Sequence, residues 1–309
     1  MKEIKNILIC GIGAVGSIYA NKINKYDNTS LKVLVDKRRL ENYTKNPKIF
    51  NGKPISFEYI LPENTEFKAD LIIIATKFDG LKDVINNITN FVKEDTIIMS
   101  LLNGVTSEEI IAEKYGWEHT LISYFIGHSA MRDGNKITHD GVGDIVFGIN
   151  NNKNTDKTDI EIVKNFFDKA KISYKTPDDM LYAYWLKFML NVSANQPSSI
   201  MRLTFGQMQN NPEFLKFFKK IAQEVQAIAK AEGVQNTELM IDEAFVSFNK
   251  MIPNGKTSML QDVEAKRKTE VEMFAGTIIE LGKKHNIQTP YNQIMKEMVE
   301  VIEENYNNN

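Results

Sequence analysis

Residues 4–23, IKNILICGIGAVGSIYANKI, constrain this chain more than any other stretch. Residues 4–10 are apolar and rich in β-branched side chains, the pattern of a strand buried in a parallel sheet. Gly11, Gly13 and Gly16 follow in the G-x-G-x-x-G spacing, and residues 14–25 suit a helix. Each glycine has a task. Gly11 permits a tight turn, Gly13 lets the backbone approach a pyrophosphate, and Gly16 lets helix and strand pack closely. The helix N-terminus adds unpaired N–H groups and a positive dipole end for phosphates. A chain that opens this way is expected to build a Rossmann-type α/β domain. Gly11, Ile12, Gly13, Ala14, Val15 and Gly16 form its expected dinucleotide loop.

The next strand, LKVLVD, ends at Asp36, twenty residues after Gly16. An acid there grips the ribose 2′-hydroxyl and favours NAD. Lys37, Arg38 and Arg39 follow at once, where basic groups hold the 2′-phosphate of NADP or simply line a solvated turn. The residues point both ways. DLIIIAT (residues 70–76) leads into Lys77 and a helix from about residue 79, and TIIMSLL (residues 96–102) leads into Asn103-Gly104. Asn-Gly alone suggests a hairpin. Thr106 and Glu109 make a T-x-x-E capping box, so a helix is expected instead. Lys77 and Asn103 then stand at the C-terminal ends of strands, where open α/β sheets bind ligands. Their plainer readings are a surface lysine and a turn residue. HTLISYFIGHSAM and KITHDGVGDIVFG read as strands and a Gly-rich hairpin that extend the sheet. Residues 150–159 form a polar loop, a helix and the short strand KISYKT follow, and Pro177 marks the expected boundary. The domains are placed at residues 1–177 and 178–309.

The second half reads as helices over residues 178–195, 211–232, 237–249, 262–284 and 290–304. The first contains YWLKFMLNVSANQP, in which Lys187, Asn191 and Asn195 interrupt an apolar run every four residues. Four residues advance roughly 400° around an α-helix, so the ammonium and two amides fall along one stripe. A wet face is the plain reading; a site for a small polar ligand is the other. In the fourth helix Glu270 shares a face with Val263, Phe274, Ile278 and Leu281. A carboxylate there is paired, with Arg267 as an obvious partner, or it serves a site.

The totals exclude several classes. With 309 residues, two domains are the natural expectation. A net charge of −2 argues against nucleic acid, and acids flank both basic clusters, DKRRL and EAKRKTE. No apolar run reaches ~18 residues, so no membrane span is expected. The N-terminus lacks the cleavage site of a secretory signal. The single Cys10 excludes an intramolecular disulfide and fits a reducing, cytoplasmic setting. His119, His128, His139 and His285 are not spaced as metal ligands, so no metal is expected.

An N-terminal dinucleotide domain followed by a helical one is a dehydrogenase layout, with nicotinamide and substrate expected in the interdomain cleft. The chain resembles the ketopantoate reductases (2-dehydropantoate 2-reductases) along almost its whole length. GIGAVG looks like the family's glycine motif, and ATK with Lys77 and LNGV with Asn103 like its two cofactor-side motifs. HSA…ITHDGVGDIVFG is similar to its end-of-sheet segment, with Ala130 at a cofactor-contacting position. WLKFMLNVSAN matches K-x-x-x-N-x-x-x-N, and TSMLQDVEAKRKTEVE is similar to its S-M-x-Q-D block. The resemblance implies a Rossmann domain plus an all-α domain of the 6-phosphogluconate dehydrogenase C-terminal type. It implies Lys187 as proton donor to a keto oxygen, Asn191 and Asn195 positioning the substrate, and Ser258 holding its carboxylate. Glu270 would orient cofactor and substrate. Lys77 and Asn103 would contact the cofactor, Asn103 the substrate as well.

Three departures stand out. Asp36 replaces a usual neutral residue, which weakens the NADP expectation and keeps NAD open. Gly80 lies where some members place a glutamine. NQPSS replaces the commoner Asn-Pro step after the second asparagine. The expected partner is a small 2-oxo acid, and a homodimer is one option for the assembly. Three functions are therefore carried forward: ketopantoate reduction with NADP or NAD, reduction of another branched 2-oxo acid, and dinucleotide sensing without turnover. A sensor has no need of a proton donor.

Overall fold

The computed structural model describes residues 2–127, 130–141, 143–153 and 157–307. His128, Val142 of the Gly-rich segment and residues 154–156 of the polar loop lie outside them. The chain divides into two compact units, Met1–Leu102 with Thr106–Met180, and Asn103–Val105 with Leu181–Asn309.

The first unit runs β1 (Ile7–Cys10), α1 (Ala14–Tyr26), β2 (Leu31–Leu34), α2 (Lys37–Lys45), β3 (Lys48–Phe50), β4 (Lys53–Ile55), β5 (Tyr59–Ile60), β6 (Leu71–Ile74), α3 (Leu81–Asn87), β7 (Ile97–Ser100), α4 (Ser107–Tyr115), β8 (Thr120–Ile126), β9 (Ala130–Asp133), β10 (Lys136–His139), β11 (Asp144–Gly148), α5 (Thr158–Ala170) and β12 (Tyr174–Lys175). The main sheet has the order β12-β11-β8-β7-β6-β1-β2-β5. From β5 to β8 all pairings are parallel; β11 returns antiparallel to β8. Every residue of β1, β6 and β7 is buried, as their unbroken apolar runs require. Tyr19 and Ile23 of α1 and Phe166 and Phe167 of α5 join one core with these strands.

Two expectations are corrected here. β9 and β10 do not extend the main sheet. They pair with each other, and β10 pairs with β3, in a second sheet, β4-β3-β10-β9. Its β3–β4 hairpin turns at Asn51-Gly52, both with positive φ (46° and 79°). This is the Asn-Gly hairpin signal, and it was available in the sequence. The Thr106–Glu109 capping box does not form either: Thr106 is the N-cap of α4 but makes no capping side-chain hydrogen bond. A buried polar chain secures that end instead. Ser100 Oγ donates to Ser107 Oγ, and Ser107 Oγ to Glu108 Oε2, both at 2.8 Å.

The second unit is helical: α6 (Met180–Leu190), α7 (Gln196–Met201), α8 (Phe205–Gln209), α9 (Pro212–Ala231), α10 (Met240–Asn249), α11 (Ser258–Glu264), α12 (Thr277–His285) and α13 (Pro290–Glu304). Phe188, Phe218, Phe248 and Phe274 are fully buried at its core. The α/β and all-α architecture expected from the sequence is what the chain adopts. Two five-residue π turns, Asn191–Asn195 and Glu272–Gly276, interrupt the helices. The expected continuous helix over residues 262–284 is therefore a correction. α11 stops at Glu264, Lys266 adopts φ +50°, and Arg267 N folds back to Asp262 O at 2.8 Å. Thr269 N is drawn to Glu303 Oε1 at 2.7 Å. Glu270 lies in this link, not on a helix face. No helix among the described residues is long and apolar enough to cross a membrane.

Asp70, at the entry to β6, ties the first strand region together. Its carboxylate accepts from Lys5 N (2.8 Å), Asn6 N (2.9 Å) and Lys93 Nζ (2.6 Å). Burial pushes its pKa up, but the Lys93 ammonium and the two amides outweigh this and hold it below the usual carboxylate value. A depressed folded-state pKa stabilises the fold above the unfolded value of about 3.9, and this is lost as pH falls through the folded value. Asp70→Asn is therefore expected to unfold at lower urea concentration than wild type at neutral pH. The gap should close as pH approaches about 2. A gap that stays constant across that range would remove Asp70 from the acid response.

Candidate active site

The glycine loop is built as its spacing requires, but its glycines serve different ends. Gly11 has φ +100°, and a Cβ there would lie 2.7 Å from Ala75 O. A Cβ on Gly16 would lie 1.9 Å from Gly11 O, so Gly16 sets the close approach of α1 to the turn. Gly13, the N-cap of α1, has φ −70°, and nothing lies within 4 Å of a Cβ placed there. Packing does not explain Gly13. Open space over the backbone at a helix N-terminus fits a pyrophosphate. Ile12 is buried, whereas Ala14 and Val15 are half-buried.

Asp36 is the N-cap of α2. Its Oδ1 accepts from Arg39 N at 2.6 Å and its Oδ2 from Arg39 Nη1 at 2.8 Å. The acid and a basic residue that the sequence set in opposition are thus paired with each other. Lys37 is exposed, 3.9 Å from Glu63. Lys77 is exposed and follows β6 at the start of the 3₁₀ turn Phe78–Gly80. Ala130 opens β9 and is half-buried.

In the helical unit Lys187, Asn103 and Glu270 come together. Lys187 Nζ donates to Asn103 Oδ1 at 2.8 Å, and Asn103 Nδ2 donates to Glu270 Oε2 at 2.9 Å. One amide therefore bridges an ammonium and a carboxylate, and all three groups are half-buried. Arg267, the alternative partner weighed for Glu270, pairs with Asp262 at 2.7 Å. Gly104 explains how Asn103 arrives. Its φ is +93°, and a Cβ would meet Met273 Cγ at 2.7 Å, so the Asn103-Gly104 step packs against the turn Glu272–Gly276.

Asn191 and Asn195 begin and end the other wide turn. Four α-helical residues overshoot a full turn by about 40°. A wider turn rotates each residue less, so the π turn cancels part of that drift and keeps Asn195 nearer the line of Lys187 and Asn191. Asn195 is buried, its Nδ2 3.5 Å from Ser258 Oγ, and Ser258 itself is exposed at the first position of α11. Asn191 is half-buried. Sequence reading missed both wide turns and the bridging geometry of Asn103. Pro197, which removes a helical donor just past Asn195, was the one available signal for the first turn. Among the described residues no cluster of histidine, cysteine or carboxylate side chains could hold a metal.

A parallel sheet with this glycine loop, joined to a helical unit carrying a bridged ammonium, defines the nicotinamide-dinucleotide-dependent oxidoreductases. Residues 7–152 match the family described as ketopantoate reductase PanE/ApbA, and residues 179–303 match its C-terminal part. The chain belongs to the ketopantoate reductase family. A 2-dehydropantoate 2-reductase of Aquifex aeolicus is 27% identical over 97% of both chains. A dimeric ketopantoate reductase of Staphylococcus aureus superposes with a TM-score of 0.76 at 22% identity, covering 97% of this chain and 99% of its own. D-mandelate dehydrogenase, with NADH and anilino(oxo)acetate, gives 0.84 at 23% identity over 98% of this chain and 99% of its own.

The contrast between Gly13 and Gly16 is testable. Gly13→Ala should leave the unfolding free energy within about 0.5 kcal/mol of wild type. It should weaken dinucleotide binding by roughly tenfold or more, about 1.4 kcal/mol, in a nicotinamide fluorescence titration. Gly16→Ala should destabilise the unit itself. Wild-type dinucleotide affinity in a folded Gly13→Ala protein would free that position from any role in binding.

Proposed function

We propose that this chain reduces 2-dehydropantoate to pantoate, a step toward pantothenate, with a reduced nicotinamide dinucleotide as hydride source. The observation that carries the reading is the Lys187–Asn103–Glu270 bridge. When bound, the dinucleotide supplies hydride to the keto carbon. Negative charge then develops on the keto oxygen. The Lys187 ammonium stabilises that charge and gives up a proton to it. Asn103 holds the amine by an acceptor that cannot itself take the proton. Glu270 fixes which way the Asn103 amide faces, since a carboxylate accepts only from the NH₂ end. Asn191 and Asn195 offer hydrogen bonds to hydroxyl and carboxylate groups of the substrate, with Ser258 at its acid end. The glycine loop and α1 N-terminus hold the pyrophosphate, and Lys77 and Ala130 contact the dinucleotide.

The Asp36–Arg39 pair bears on which dinucleotide. A carboxylate has about four lone-pair sites, so Asp36 can accept from a ribose hydroxyl while keeping Arg39. A 2′-phosphate would meet the like charge of Asp36 and compete for the same guanidinium. The arrangement favours NADH over the NADPH that the family resemblance implies.

A second reading keeps the chemistry and changes the substrate to another branched 2-oxo acid. It rests on Gln196, which stands directly after Asn195 where the family more commonly has proline.

Lys187→Ala is expected to retain dinucleotide binding and lose roughly 10²–10⁴ in kcat. Turnover near the wild-type rate would take Lys187 out of the proton transfer. In a panel of 2-oxo acids, ketopantoate should show the highest kcat/KM; a better substrate would move the assignment to the second reading. NADH should outperform NADPH, and Asp36→Asn should shift the ratio toward NADPH by about tenfold, roughly 1.4 kcal/mol. An unchanged ratio would show that Asp36 does not face the 2′ position.

A further inference from the structure

Behind the wide turn Asn191–Asn195 lies a line of buried polar groups outside the site described above. Gln196 and Asn292 are fully buried, and Glu224 is 7% exposed. Glu224 caps the N-terminus of α13, accepting from Tyr291 N at 2.8 Å and Asn292 N at 3.1 Å. Its Oε2 also accepts from Asn292 Nδ2 at 2.7 Å. That contact fixes the Asn292 amide, so its Oδ1 faces Gln196 and accepts from Gln196 Nε2 at 3.2 Å. The orientation of Gln196 is thereby fixed in turn, and Nε2 donates to Val192 O at 3.0 Å.

The Val192 carbonyl is the one that needs help. In a turn bonded from residue i to i+5, its partner would be the amide of residue 197, and Pro197 has none. Gln196 supplies the missing donor from its side chain. A buried carbonyl left unpaired would favour rewinding of the segment into another register. Any rewinding would rotate Asn191 and Asn195, which flank Val192.

We infer that Gln196, held by Asn292 and Glu224, is a positioning residue that sets the wide turn and thereby the two amides facing the substrate. The inference rests on the proposed reduction for its kinetic consequence and on the hydrogen-bond geometry for its structural one. The departure NQPSS, in which glutamine separates the asparagine from the proline, thus has a structural purpose. It places a long amide where it can reach both the carbonyl and Asn292.

Gln196→Met keeps length and volume and removes the donor. In this variant KM for the oxo acid should rise by roughly ten- to a hundredfold, with a smaller change in kcat and an unchanged dinucleotide Kd. Gln196→Met/Asn292→Leu leaves Val192 O without its donor and also takes Nδ2 from Glu224, so it should lose further folding stability while KM stays high. Wild-type constants in folded Gln196→Met, or a KM that returns to normal in the double variant, would overturn the inference. A readout independent of turnover is the side-chain amide NMR signals of Asn191 and Asn195. They should shift in Gln196→Met while those of Asn21 in the first unit stay put. Unmoved signals would also overturn it. A wild-type protein that reduces no oxo acid sinks the proposed reduction, and the amide signals then decide the positioning role alone.

Discussion

The hydrogen bond from Lys187 Nζ to Asn103 Oδ1, 2.8 Å long, organises the helical site. Its partner matters as much as its length. A carboxylate in that position would hold the amine more strongly, since both partners would be charged. It would also put a proton acceptor beside a proposed proton donor. An amide oxygen orients the ammonium without neutralising it. Glu270 remains part of the arrangement at one remove, through Asn103 Nδ2 at 2.9 Å, and this contact settles the amide orientation.

That arrangement depends on backbone features more than on the side chains themselves. Asn103 reaches Lys187 because Gly104 adopts φ +93° in a space that Met273 would deny to any Cβ. Met273 is placed by the wide turn Glu272–Gly276, which begins two residues after Glu270. The other wide turn begins four residues after Lys187. The two turns contact each other, and the ring of Phe274, within the second turn, lies 6.3 Å from that of Phe188. Wide turns are rare and concentrate at functional sites because they redirect side chains without ending the helix. Here they flank both ends of the bridge.

The glycine spacing was legible because two of its positions answer steric demands, Gly16 that of the Gly11 backbone and Gly11 that of its own left-handed turn against Ala75, whereas Gly13 answers no packing demand. Lys187, Asn191 and Asn195 were legible as a stripe, since spacing along one helix survives a local widening. The environment of Glu270 was not. Hydrophobic periodicity over residues 262–284 suggests one helix. What breaks it is non-local: Thr269 N goes to Glu303, far along the chain, and Lys266 takes a left-handed conformation with no glycine or asparagine to announce it. The capping box failed for a related reason. Buried Ser100, Ser107 and Glu108 took over the end of α4, and such a chain depends on β7 lying alongside. The two Asn-Gly steps show the limit of a local signal. Asn51-Gly52 turns a hairpin, whereas Asn103-Gly104 leads toward a helix and delivers a side chain.

Amides recur through the helical unit: Asn103, Asn191, Asn195, Gln196 and Asn292. An amide donates and accepts, and its burial does not require removing a charge from water. On the proposed reading the substrate is an anion, so each added carboxylate near Lys187 would oppose its binding. Two carboxylates of the helical unit each meet an amide that in turn meets a further group. Asn103 stands between Glu270 and Lys187, and Asn292 stands between Glu224 and Gln196. In both cases the carboxylate fixes the direction of an amide, and the amide passes that direction on without its charge. Orientation is thus passed along each line without the carboxylate's charge. On the proposed reading an anionic ketone would meet a positive group and neutral hydrogen-bonding partners, which is the polarity that hydride addition to its carbonyl calls for.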